Sequence, residues 1–147
     1  SGNIHQTLKD LASKYEYVIA DTAGRDSREL RTGMTVADVL ISPARPSQYD
    51  LDTLPHLAEV YSQAKDLNPK LAGYLVLNLC PTNPVIKEVA AAQEFLADYP
   101  EFKLTNTLVY DRKAYRDAIS DGRSVLEWTD AKAKHEIETL VEEIIHG

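Results

Sequence analysis

The chain has 147 residues, 44% of them hydrophobic, and a net charge of −7. That length sets the expectation of one domain over 1–147 with a real core, and the acidic balance argues against a general nucleic-acid binder, which needs a local Lys/Arg excess. Cys80 has no partner for an internal disulfide, no apolar run reaches the roughly 18 residues of a membrane span, and His5, His56, His135 and His146 are too scattered for a zinc cluster.

Ile4, Leu8, Leu11 and Ala12 recur at helical spacing and predict a first helix. Tyr17 to Asp21 reads as a strand, with Val18, Ile19 and Ala20 running into one acid. Ser27 can cap a short helix reaching Thr35, with Glu29 in its first turn. Asp38 to Ser42 is a second strand, stopped by Pro43 and Pro46. Leu54, Leu57, Ala58, Tyr61 and Ala64 form one face of a long helix, which Asp50 or Asp52 can cap and which tolerates Pro55 in its first turn. Gly73 to Leu79 is a third strand, and Val85, Ile86, Val89 and Leu96 mark another helix. Lys103 to Val109 is a fourth strand, followed by a helix over 112–120 that ends at Asp121-Gly122. The last helix runs from Asp130 to Ile145 on an apolar stripe of Ala133, Ile137, Leu140, Val141 and Ile144. Its acids, Asp130, Glu136, Glu138, Glu142 and Glu143, are expected to face water or a basic partner. Strands separated by helices imply an α/β fold: a mostly parallel sheet with helices on both faces.

Asp21 is the sharpest single residue. A buried strand ending in a carboxylate puts that charge at the sheet's carboxyl edge, where α/β proteins bind ligands. This is the form of a Walker B strand, whose Asp holds a hydrated magnesium beside nucleotide phosphates. Thr22-Ala23-Gly24 adds small residues that let a backbone amide approach an anion, and Gly24 could donate to a terminal phosphate. A G-x-x-x-x-G-K-[ST] phosphate loop occurs nowhere in the sequence.

Val18-Ile-Ala-Asp-Thr-Ala-Gly-Arg-Asp-Ser27, then Asp38-Val-Leu-Ile-Ser-Pro-Ala-Arg-Pro-Ser-Gln-Tyr-Asp50, then Asp111-Arg112 and Asp121-Gly-Arg-Ser-Val-Leu-Glu127, resemble in order and spacing the ParA-type partition ATPases. These are deviant Walker ATPases related to the cell-division regulator MinD. The resemblance covers residues 8 to 145. It implies a partial phosphate-loop NTPase fold of the SIMIBI type, without the phosphate-loop strand. It also implies roles. Asp21 is the Walker B aspartate and holds Mg through water, and Gly24 lies in the switch that senses the γ-phosphate. Asn78 and the loop Tyr110, Asp111 and Arg112 contact the adenine base. Pro46, Ser47 and Asp50 belong to the loop after the second strand. Arg112, Lys113, Arg116 and Arg123 are candidate contacts to DNA, although interleaved acids make a solvated mixed-charge helix the plainer reading.

The family's K-G-G-x-G-K-T loop and its catalytic switch lie upstream of every motif matched here. The resemblance therefore implies ATP and Mg as cofactors of the full-length protein and none for this chain, which is expected neither to bind ATP tightly nor to hydrolyse it. The family's phosphate-loop strand sits beside the Walker B strand, so its loss is expected to leave backbone edges that rearrangement or self-association must cover. The implied partners are nonspecific DNA, a centromere-binding adaptor and a second copy of the chain, in a cytoplasmic, nucleoid-associated setting without a membrane.

Two alternatives stand beside this. Asp21-Thr-Ala-Gly-Arg25 is also the switch sequence of signal-recognition-particle GTPases, which need a T-K-x-D guanine reader; the third strand ends instead in Leu77-Asn-Leu-Cys-Pro81. A flavodoxin-like signalling module with Asp21 as phosphoacceptor would need an acidic pair after its first strand, and none is present there.

Overall fold

A computed structural model describes residues 4–23, 26–83 and 87–147. The elements follow the order α1 (Ile4–Ala12), α2 (Arg28–Met34), β1 (Val39–Ala44), α3 (Gln48–Leu51), α4 (Leu54–Leu67), β2 (Ala72–Leu77), α5 (Glu88–Leu96), β3 (Lys103–Leu104), α6 (Lys113–Ser120), a 3-10 turn (Val125–Glu127) and α7 (Ala131–His146). The strands form one three-stranded sheet in the order β1-β2-β3, so the chain has the α/β class its alternation of helix and strand predicts. β2 runs parallel to β3, with Tyr74 opposite Lys103 and Leu75 opposite Leu104. The amide of Ala72 donates to the Asp38 carbonyl and that of Asn78 to the Ala44 carbonyl, so β1 also runs parallel to β2. In the central strand Gly73 to Leu77 are all buried. Continuous burial is what a parallel strand covered on both faces requires. β1 is an edge strand with alternating exposure, and Pro43, which cannot donate to a ladder, is tolerated there.

The contacts divide the chain into two compact units, Ser1–Leu40 with Thr53–Gly73, and Ile41–Asp52 with Tyr74–Gly147. In the first, α2 packs against α1 and α4. Ser27 caps α2 as expected, its hydroxyl accepting from the Leu30 amide. Met34, Val60, Tyr61, Ala64 and Leu71 form the core, and the buried Tyr61 hydroxyl donates to the Leu71 carbonyl. In the second unit the 3-10 turn packs against α6 and α7, and α3 against α5. Leu75, Leu77, Cys80 and Ala118 are at most 1% exposed.

Three expectations are corrected. Tyr17 to Asp21 is not a strand: the segment pairs with no described strand, and Ile19 is 95% exposed. An extended segment holds as a strand only when a neighbour satisfies its backbone, and none of the described strands takes it up. Neither Asp50 nor Asp52 caps α4, whose cap position is Thr53. Asp50 instead accepts from the Arg45 amide, and Asp52 accepts from the Gln48 side chain across α3. The fourth strand is shorter than Lys103–Val109. The Thr105 amide bonds the Leu75 carbonyl, but the next rung, to Leu77, comes from Val109. Two residues of β2 thus face four of the following chain, which makes a bulge over Asn106 to Leu108. Val85 and Ile86, expected in a helix, and Gly24 lie outside the described residues.

Candidate functional site

Beyond the bulge the chain rejoins the sheet. The Cys80 amide donates to the Val109 carbonyl and the Asp111 amide to the Cys80 carbonyl, making a parallel bridge between Cys80 and Tyr110. The carboxyl ends of three neighbouring chain segments therefore stand in a row: Ala44, Asn78 to Cys80, and Tyr110 to Arg112. This is the edge at which parallel α/β sheets bind ligands. The structure brings together Asn78, Tyr110, Asp111 and Arg112, four residues that were read from separate parts of the sequence. Pro46, Ser47 and Asp50 follow directly from the end of β1, with Pro46 buried.

The backbone turns sharply at this edge. Leu79 has φ of 53°, a left-handed conformation uncommon for a bulky residue. Its amide donates to Oδ1 of Asn78 at 2.8 Å, which fixes the Asn78 side chain at the strand end. Cys80 next to it is fully buried, and burial first, then the charge of Glu136, pushes its thiol up to about 11. At neutral pH it is a packed thiol without nucleophilic character.

Glu136 of α7 holds the other side of the edge. It is 9% exposed. Oε1 accepts from Nε of Arg112 at 2.6 Å and pairs with Nη2 at 2.5 Å. Oε2 accepts from the Tyr115 hydroxyl at 3.0 Å and the Tyr110 amide at 3.3 Å. The Arg112 guanidinium also lies over the Tyr110 ring, 5.2 Å from its centre. Its hydrogen bond to Glu136 raises the Arg112 pKa, and burial followed by that same carboxylate raises Tyr115 well above the ordinary phenol. A charge this enclosed persists only with such a full set of partners.

One helical heptad further along α7, Glu143 holds the bulge. Oε1 accepts from the Asn106 amide (2.6 Å) and side chain (3.1 Å), and Oε2 from the Thr107 amide (3.0 Å) and hydroxyl (2.8 Å). These bonds take up the Thr107 amide, which a regular β3 would have offered to β2, together with the Asn106 amide beside it. The expectation that the acids of the last helix face water or a partner is therefore corrected for Glu136 and Glu143, both of which are bound within the chain. A signal for them was present: each borders the apolar stripe of Ala133, Leu140 and Ile144, whereas Glu138 and Glu142 lie away from it.

The remaining predicted residues are placed as follows. Asp21 lies exposed in the unpaired segment of the first unit, and among the described residues no group of three His, Cys, Asp or Glu side chains could hold a metal. The described residues thus do not by themselves build a magnesium site. Of the candidate DNA contacts, Arg112 is taken by Glu136, Lys113 pairs with Asp117 at 3.0 Å, Arg116 with Asp111 at 2.5 Å, and Arg123 with Asp121 at 3.1 Å.

Comparison with known proteins agrees with the motif order. A family model described as "ATPase MipZ" matches residues 1–68. A "ParA family protein MG470" of Mycoplasma genitalium is 32% identical over 76 residues, which are 52% of this chain and 28% of that relative. A "ParA family protein" of Mycoplasma pneumoniae is 30% identical over 76 residues, again 52% of this chain and 28% of the relative. The "Maintenance of carboxysome distribution protein A" of Halothiobacillus neapolitanus is 29% identical over 143 residues, 95% of this chain and 65% of the relative. The chain thus spans about a quarter to two thirds of the lengths of these relatives. Motif order and matches point the same way: the chain is similar to ParA-type partition ATPases.

Proposed function

We propose that the chain is the base-side part of a ParA-like ATPase that positions or segregates a large cargo, plasmid or chromosomal DNA in the first instance, by ATP-dependent dimerisation and nonspecific DNA binding. The observation that carries this reading is the bridge between Cys80 and Tyr110, which puts Asn78 beside Tyr110–Arg112 at the carboxyl edge of a parallel sheet. An amide side chain, a tyrosine ring and loop backbone there suit a flat heterocycle with donors and acceptors on its rim. The resemblance assigns Asp21 to magnesium and Gly24 to a phosphate, together with a phosphate loop from the longer protein. Lys113, Arg116 and Arg123 each hold a carboxylate partner that a DNA phosphate would have to displace. An adaptor that stimulates hydrolysis completes the cycle.

The test has two arms. The full-length protein is expected to be retained on nonspecific DNA with ATP and released without it; retention indifferent to nucleotide, or a preference for guanine nucleotide, overturns the reading. The 147-residue chain alone is expected to show no ATP turnover above background. Turnover by this chain would show that the phosphate loop is not needed.

A further inference from the structure

Two carboxylates on one face of α7 reach the same stretch of chain, Glu143 at the bulge and Glu136 at the loop beyond it. Between them they hold Asn106 to Arg112, and nothing in this arrangement is local in sequence. The Glu136 end has a geometric consequence. The Tyr110 amide, the Arg112 guanidinium and the Tyr115 hydroxyl all converge on one side chain. Arg112 is thereby drawn over the Tyr110 ring and away from solvent, its side chain 22% exposed. With Arg112 pinned, the Tyr110 ring lies under its guanidinium, and the Tyr110 backbone is bridged to Cys80, two residues beyond Asn78.

We propose that Glu136 is a positioning residue: held inside α7, it sets the conformation of Tyr110–Arg112 and thereby how selectively the edge beside Asn78 grips an adenine base. This rests on the base-side reading proposed above. Glu136 touches no ligand in this role and acts only through Arg112, Tyr110 and Tyr115. A carboxylate suits the task because all its hydrogen-bonding capacity is acceptor, and donors of three residues approach it. Glu136→Gln has nearly the same volume but turns one acceptor into a donor facing donors.

The experiment measures ATP and GTP affinity of the full-length protein, wild type against Glu136→Gln, with thermal unfolding recorded on both. Wild type is expected to prefer ATP. Glu136→Gln is expected to lose affinity for ATP by about fivefold to tenfold, the scale of one disturbed charged hydrogen bond, while GTP changes by less than about twofold. The ratio is the decisive readout, because a merely structural residue would weaken both nucleotides alike. Equal losses, or an unchanged ratio, overturn the inference and leave the base-side reading standing; absence of ATP preference in wild type overturns that reading itself. Should Glu136→Gln fail to fold, Tyr115→Phe removes one of the donors and leaves the Arg112 pair intact. It is expected to shift the same ratio in the same direction by about twofold, and no shift would overturn the inference.

Discussion

Glu143 shows how one side chain can decide the course of a strand. Burial alone would push its carboxyl up, but the four hydrogen bonds from Asn106 and Thr107 outweigh it and hold the pKa below the ordinary 4.5. A carboxylate depressed in the folded state adds stability above its unfolded value, and that stability is lost as the pH falls through the folded value. Amide protection at Asn106 and Thr107 is therefore expected to be constant near neutrality and to fall on acidification below about pH 4. In Glu143→Gln the acid step should disappear, with a stability cost of about 1 kcal/mol because the site is partly open to water. An acid step that survives the substitution would assign it elsewhere. The donors lie 36 and 37 residues away along the chain, so this role could not be read from sequence. The placement of Asn78 at the end of a strand could be, because a strand end is legible from where an apolar run stops.

At the scale of elements, local chemistry and packing divided the work. Ser27 caps α2 and Asp130 caps α7, the latter accepting from the amides of Lys132 and Ala133; both are short-range and both were visible as small polar residues before a helical pattern. Ser27→Ala is expected to cost about 1 kcal/mol and to lower the melting temperature by about 2 to 4 °C, with the fold unchanged by circular dichroism. A drop within error would mean that the contacts of α2 with α1 and α4 stabilise it without its cap. Gly122 at φ 69° ends α6 where Asp121-Gly122 announced a stop. Strands were read less well. The central strand is legible because Gly73 to Leu77 are all buried, which yields an unbroken apolar run. Tyr17–Asp21 has the same look and is no strand, since apolar composition proposes a strand and only a hydrogen-bonded neighbour makes one.

Over the whole molecule the same logic bears on association and charge. Tyr15, Tyr17 and Ile19 are 62%, 61% and 95% exposed, an uncommon display for one short segment. Ile19→Lys is expected to change stability by less than about 0.5 kcal/mol, since it removes no contact, and to reduce self-association measured by sedimentation. Unchanged sedimentation would place any contact between copies elsewhere. No helix among the described residues is long and apolar enough to cross a membrane.

The sequence by itself determined the class of the fold, the caps and ends of most helices, the central strand and the resemblance to ParA-type ATPases, because hydrophobic periodicity, capping side chains and motif order are local or additive along the chain. Only the tertiary structure decided that the last helix turns two of its acids inward, that β3 breaks into a bulge, and that Tyr17–Asp21 pairs with no described strand. Each of those depends on which distant backbone group is left without a hydrogen bond, a quantity that does not exist until the chain is folded.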